Sequence, residues 1–328
     1  MFVGDLNLGE YYPSFGHGPR AYAERNYIFS KVQGIFDKAD LLIGNLEAPI
    51  TSRKVHAKES ESMALRAEPR HAYQLKKAGF NILQVANNHT VQHSDEGFDD
   101  TIGILQEIGV SAVGVEGQDP VVITNNNTTY AFVAASDVPD NTNKKQRKYQ
   151  QLDSSFIANI ETQVQNYDHF IVLLHWGLEA STSPLPYQRE LIDKLYSIGV
   201  RAVVGNHPHL FYEVEKRDNF ICAYSLGNFV FDLCWDKRME KTGILEIDFS
   251  KTTLEAKLHP VEIRENGCLP TPTGDAVSIS NTVSLYDLGK TMDFQQVRKV
   301  LYFAINFHKG NTLLKIRFFW DKLSKIFK

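Results

Sequence analysis

One pattern constrains this 328-residue chain more than any other: short apolar runs stop at glycine or at a polar residue of metal-ligand type, and helix-like stretches separate them. Phe2-Val3-Gly4-Asp5 is the first. Leu41-Leu42-Ile43-Gly44-Asn45-Leu46-Glu47 repeats the design, and the run from Asn81 to Ala86 ends in Asn87-Asn88-His89. Phe170 to Leu174 runs into His175-Trp176-Gly177 with Glu179 close behind, and Val200 to Val204 runs into Gly205-Asn206-His207-Pro208-His209. Helical spacing is read over 28–39, 71–79, 99–109, 154–167 and 187–198, with Gly79, Gly109 and Gly199 as C-terminal caps. Strand–helix alternation of this kind predicts an α/β fold with much parallel sheet. In such sheets chemistry gathers at the carboxyl ends of strands. Hairpin patterns over 121–134, around Asn125-Asn126-Asn127, and over 244–263 make the sheets mixed, and 221–229 reads as one more strand.

Composition narrows the function classes. Hydrophobic content of 43% and charged content of 23% are those of an ordinary soluble globular protein, and a net charge of −4 does not point to nucleic acid. The charge is uneven: nine Lys/Arg against two Asp/Glu from Lys290 to Lys328 give +7, which leaves −11 for residues 1–289. Cys222, Cys234 and Cys268 lack CxxC spacing, so they read as buried thiols rather than a disulfide framework or a zinc site. No run approaches the roughly 18 apolar residues of a membrane span, and no basic-then-apolar leader opens the chain. A cytoplasmic protein is therefore expected. One catalytic domain is read over 1–265, with a C-terminal extension over 266–328. Within it Leu313, Ile316, Trp320, Leu323 and Phe327 fall on one helical face among basic residues. That helix either docks on the catalytic domain or lies on an anionic membrane, at the inner face.

Singly, each polar strand end reads as a turn. Together Asp5, Glu47, Asn88/His89, His175 and His207/His209 would lie along one edge. Carboxylates with imidazoles suit Mn, Fe or Zn. A carboxylate shared by two ions would let the pair activate water and stabilise a phosphoryl-like transition state.

Six motifs occur in order: Gly4-Asp5-x-x-Leu8-Gly9, Gly44-Asn45-Leu46-Glu47, Ala86-Asn87-Asn88-His89, His175-Trp176-Gly177-x-Glu179, Gly205-x-His207-Pro208-His209, and Tyr224-Ser225-Leu226-Gly227-Asn228-Phe229-x-Phe231-Asp232. With them the chain, from residue 1 to about 240, resembles the CapA (PGA_cap) family of bacterial capsule and poly-γ-glutamate synthesis proteins. That family is similar in turn to the calcineurin-like metallophosphoesterases. The resemblance implies a two-sheet sandwich flanked by helices (αββα) and one or two divalent ions. Asp5 and His209 would hold one ion, Asn88, His175 and His207 the other, and Glu47 would bridge. His89 would be the proton donor to a leaving group. Asn7, Asn45, Asn87, Glu179 and Asn228 would support the ligands or touch substrate, and Trp176 would either do so or serve packing. Three positions depart from the phosphoesterase pattern: Asn7 replaces a histidine, Glu47 an aspartate, and Gln92 an acidic residue. The implied function is metal-dependent hydrolysis of a phosphoester or amide substrate in capsule or surface-polymer synthesis. The alternative is a non-catalytic accessory subunit that binds a polymer, or the subunits of a synthase or export complex. No Walker-type glycine loop supports an ATP-using ligase.

Overall fold

Buried apolar runs become strands along the whole chain in the computed structural model, which describes residues 1–12, 15–53, 65–140, 148–249, 253–289 and 295–310, with 312, 313, 315, 316 and 320. The first run forms β1 (Phe2–Leu6), buried throughout. A short helix follows, α1 (Pro19–Ala23). The helix expected over 28–39 holds one α-helical turn, α2 (Gln33–Phe36). On either side of it amides take i−3 partners (Ser30 to Tyr27, Val32 to Phe29, Lys38 to Ile35, Ala39 to Phe36), so the i−4 ladder does not extend. Then come β2 (Ile43–Leu46), α3 (Ala72–Ala78), β3 (Ile82–Gln84), α4 (Ser94–Glu107) and β4 (Ser111–Val113). Gly79 closes α3 at φ +91°, as expected of a left-handed cap. Helix α4 starts five residues before the expected Asp99, because Asp95 and Glu96 favour its first turn.

The second half begins with a hairpin, β5 (Val121–Asn125) and β6 (Thr128–Ser136), whose turn places Asn126 and Asn127 at φ +50° and +61°. Asparagine tolerates that region. Next are α5 (Ser154–Gln163), β7 (His169–His175), α6 (Pro186–Ser197), β8 (Ala202–Asn206), β9 (Val214–Arg217) and β10 (Phe220–Ala223). The stretch expected as one strand over 221–229 is two. Strand β10 pairs with β8, whereas β11 (Asn228–Val230) pairs with β1 in the other sheet. The chain changes sheets at Gly227, at φ +67°, whose carbonyl accepts the Asp5 amide at 2.9 Å. A Cβ on Gly4 would lie 1.9 Å from that carbonyl, so both glycines are required for the crossing.

Strands β12 (Lys241–Asp248) and β13 (Glu255–Arg264) form the expected closing hairpin. Beyond residue 265 the chain continues in the same sheets: β14 (Leu269–Pro272) and β15 (Val277–Ser278) pair with β13, and β16 (Thr282–Val283) pairs with β9. Helix α7 (Gln295–Ile305) follows. The first sheet runs β14-β13-β12-β1-β2-β3-β4, with β11 also on β1 and β15 on β13. The second runs β16-β9-β10-β8-β7-β6-β5.

One buried cluster fills the space between the sheets, with Val3, Ile43 and Leu83 from the first and Leu173, Val204 and Ile221 from the second. The outer face of the second sheet, including Val172, Leu174 and Val203, packs under α5 and α6 through Ile160, Ile192 and Leu195. Leu75 of α3 and Phe98 and Leu105 of α4 bury against the first sheet. The result is the expected pair of mixed sheets with helices outside each.

The segment 51–70, charged and weakly patterned in sequence as an exposed loop is, is described only at its ends. There Arg66 is buried, its guanidinium on the Thr51 carbonyl and on Glu68. Position in or beside this charged segment predicts solvated imidazoles for His56 and His71; His71 is instead buried and lies 3.1 Å from Glu24, and His56 lies outside the described residues. All three cysteines are buried. Among the described residues no helix is long and apolar enough to cross a membrane.

Candidate metal centre

Parallel pairing brings the strand ends together. Strands β1, β2 and β3 run side by side with Asp5 opposite Asn45, and β7 and β8 run side by side with His175 opposite Asn206. Glu47 is placed one residue past β2 by its amide on the Leu6 carbonyl at 2.9 Å. The crossing at Gly227 puts Asn228 opposite Asp5. Both imidazoles after β8 sit on left-handed backbone, His207 at φ +102° and His209 at φ +59°. Such conformations cost about 1–3 kcal/mol each for residues other than glycine and gather where function demands them.

Two groups of ligand atoms result, one from Glu47, His175 and His207 and one from Asp5, Glu47 and His209, each with its atoms within 4.8 Å of one another. All five residues are buried. Glu47 is common to both groups. Its Oε1 lies 3.8 Å from His175 Nε2 and 3.8 Å from His209 Nε2.

Four asparagines brace the groups by hydrogen bonds, whereas several ligand atoms within the groups have no partner. Asn45 donates to Asp5 Oδ1 at 2.8 Å, and its amide nitrogen lies 3.3 Å from His175 Nδ1. Asn87 donates to Asn45 Oδ1 at 3.2 Å and to the Leu46 carbonyl at 2.9 Å, and its oxygen accepts the His89 amide. Asn88 Oδ1 is 2.8 Å from His175 Nε2. Asn228 Oδ1 is 2.9 Å from His209 Nδ1, which holds that ring with Nε2 turned toward Glu47. By contrast Asp5 Oδ2, both oxygens of Glu47 and His207 Nδ1 are buried with no hydrogen-bond partner. Three donorless oxygens on two adjacent carboxylates are costly in a protein interior unless a cation neutralises them.

Electrostatics agree. Burial, and then the charge of Asp5, push Glu47 well above the ordinary carboxylate range. Burial and neighbouring imidazoles push His175 and His207 well down, so both are neutral and able to ligate. Burial also opposes a charged His209, yet its contact with Asp5 outweighs this and raises it. The donor set therefore fits divalent ions of the Mn, Fe or Zn class, held by Glu47 with His175 and His207 on one side and by Glu47 with Asp5 and His209 on the other.

The remaining expected residues divide. Asn88 is 5% exposed beside His175. His89 lies at the rim, its Nε2 3.6 Å from Glu47 Oε1, and burial pushes it down to about 4. Glu179 is exposed, and its charge acts on Glu47 and His209. Asn7 turns away from the ligands: its oxygen accepts the Gly9 amide at 2.8 Å and its nitrogen reaches Asp232 at 3.4 Å. Trp176, for which site and packing roles are equally open in the sequence, is fully buried. Its Nε1 donates to the Tyr224 carbonyl at 3.0 Å and its ring stacks on that of Tyr224, so it packs the crossing. Asp232 was assigned no role from the sequence. It accepts the amides of Tyr11 and Tyr12 at 2.8 and 3.0 Å and anchors the loop after β1, and the signal for it was its place at the end of the last motif.

Comparison with known proteins places these residues in a family. The family described as bacterial capsule synthesis protein PGA_cap matches residues 1–233. The PGA biosynthesis protein CapA of Bacillus subtilis (strain 168) is 28% identical over 275 residues, covering 80% of this chain and 71% of that protein. The capsule biosynthesis protein CapA of Bacillus anthracis is 26% identical over 287 residues, covering 82% and 68%. Among solved structures, a putative 5'-nucleotidase from Staphylococcus aureus aligns with a TM-score of 0.48 at 11% identity, over 92% of this chain and 57% of that one. A hypothetical protein from Thermus thermophilus aligns with a TM-score of 0.42 at 15% identity, over 85% and 96%. Every residue of the two ligand groups lies within the matched segment, and the chain belongs to the bacterial capsule synthesis protein family PGA_cap.

Proposed function

We propose that this protein is a metal-dependent hydrolase of the phosphoesterase type, acting on a phosphoester or amide substrate in the synthesis of a capsule or surface polymer. One observation carries the reading: a buried glutamate, Glu47, belongs to two ligand groups at once and has no hydrogen-bond partner for either oxygen. A structural carboxylate at such depth would be expected to collect donors. Divalent ions held by these groups would polarise a phosphoryl or carbonyl oxygen and lower the pKa of water.

The chain's own residues supply the rest. Asn45 orients Asp5 and His175, and Asn228 orients His209. Asn88 lies between His175 and His89, with its nitrogen 3.2 Å from His89 Nε2. His89 is the one imidazole of the cluster at the rim, with 12% of its side chain exposed. It enters the site neutral, so it protonates a leaving group only after the negative charge of a bound substrate has raised it.

The test is elemental analysis of the purified protein together with hydrolysis of phosphomonoester, phosphodiester and γ-glutamyl amide substrates. The wild type is expected to carry Mn, Fe or Zn and to cleave at least one class. His207→Ala is expected to lose metal and at least 100-fold of that activity, a typical scale for losing an electrostatic contribution to the transition state. A wild type that holds no metal, or a His207→Ala variant with unchanged metal and activity, would overturn the proposal.

A further inference from the structure

Among the described residues fourteen large apolar side chains are exposed, and eight of them lie between Val297 and Trp320. Helix α7 accounts for four. Val297, Val300, Leu301 and Ile305 are 52%, 66%, 55% and 70% exposed, and their spacing of three, one and four residues puts them on one stripe. The other side of α7 is the docked one. Tyr302 and Phe303 pack against Phe15, Arg298 pairs with Asp236 at 2.6 Å, and Lys299 lies over the Trp235 ring at 5.2 Å. The helix is therefore held to the body through charged and aromatic groups and turns its aliphatic stripe to solvent, the reverse of an ordinary surface helix. Leu313, Ile316 and Trp320, at 78%, 57% and 73% exposure, extend the apolar surface beyond it.

Charge decides what covers this surface. Residues 290–328 carry +7 and residues 1–289 carry −11. A second copy joined tail to tail would bring +7 against +7. Joined tail to body, +7 would meet −11, but among the described residues the body offers the stripe only scattered apolar side chains, such as Tyr73, Val122 and Tyr196. An anionic bilayer offers both a negative surface and an apolar interior, and it repels the acidic body. Exposed aliphatic residues, a tryptophan and a segment of net positive charge are what an interfacial segment uses.

We propose that the surface formed by Val297, Val300, Leu301, Ile305, Ile316 and Trp320 docks on anionic lipid, with the acidic domain held away from the membrane. The proposal does not depend on the metal chemistry above.

The test is sedimentation of the full chain with vesicles of phosphatidylcholine alone or mixed 3:1 with phosphatidylglycerol, at 0.05 and 0.5 M NaCl. Binding is expected to be at least tenfold stronger to the mixed vesicles, to weaken in high salt, and to shift Trp320 emission to shorter wavelength. The triple variant Val300→Ser/Leu301→Ser/Ile305→Ser changes only exposed side chains. It is expected to lose at least tenfold in vesicle binding with an unchanged melting temperature and metal content. Absence of binding to the mixed vesicles would overturn the proposal, as would equal binding by the triple variant. So would a dimer in light scattering that the triple variant dissociates, since the stripe would then be covered by a second copy.

Discussion

Glu47→Gln separates the cost of the site from its use. Both Glu47 oxygens are buried without a partner, and Asp5 Oδ2 beside them is in the same condition. A buried polar group left unsatisfied costs about 1–3 kcal/mol, and more when charged. In the metal-free protein Glu47 meets that cost either as a charge beside Asp5 or by taking up a proton. Glutamine removes the charge at nearly the same volume and brings an N–H that can donate to Asp5. Metal-free Glu47→Gln is therefore expected to be about 1–3 kcal/mol more stable than metal-free wild type. For a chain of this size that is a rise of about 1.5–4.5 °C in Tm. Manganese reverses the order. At a concentration 100-fold above its Kd it stabilises the wild type by about 2.7 kcal/mol. The variant, having lost the ligand common to both groups, gains little. Calorimetric melts of chelated and Mn-supplemented protein at pH 7 measure all four values. Lower stability of the chelated variant, or an equal gain from manganese in both proteins, would refute the reasoning.

Three other outcomes follow from the same contacts. Asn7→Ala should cost about 1 kcal/mol, by loss of the hydrogen bond to the Gly9 amide, and leave the metal content by elemental analysis equal to wild type, because Asn7 faces the loop; a fall in metal content would show it to be a ligand. Burial raises Asp232 to about 7 despite two backbone donors, above its unfolded value of about 3.9, so folding takes up a proton. The stability this group contributes thus falls as pH rises from about 4 to about 7, by about 4 kcal/mol at most. Asp232→Asn should flatten the stability profile between about pH 4 and 7, and equal slopes would count against the shift. Gly205→Ala would place a Cβ 2.1 Å from the Tyr224 carbonyl and 2.5 Å from Trp176 Nε1, breaking the bond between them. A loss of about 1–3 kcal/mol is expected in urea denaturation, and an unchanged midpoint would mean that the crossing can relax.

How much of the site was legible depends on how local each signal is. Asp5, Glu47, His175, His207 and His209 follow their apolar runs directly, so strand direction alone carries them to a common edge. The same holds for Asn87, Asn88 and His89. The strand read over 221–229 failed because periodicity does not mark a change of sheet. The break depends on Gly227 adopting a left-handed φ while its carbonyl meets the Asp5 amide, a contact between residues 222 positions apart. The helix read over 28–39 shrinks to one turn because i−3 hydrogen bonds flank Gln33–Phe36, a geometry that apolar spacing does not distinguish from the i−4 ladder. Asn7 and Trp176 carry the right chemistry in the right motifs, and only their partners, Gly9 with Asp232 and Tyr224, show that both serve the scaffold.

By itself the amino-acid order determined the α/β alternation, the two hairpins and the polar residues at strand ends, because each of these rests on side-chain period and on chain neighbours a few residues apart. Tertiary structure alone decided that Glu47 belongs to two ligand groups, that its oxygens lack donors, and that the stripe on α7 faces outward. Those three features are relations between segments tens to hundreds of residues apart, set when the two sheets pack and the strand ends meet. No local periodicity encodes such a distance.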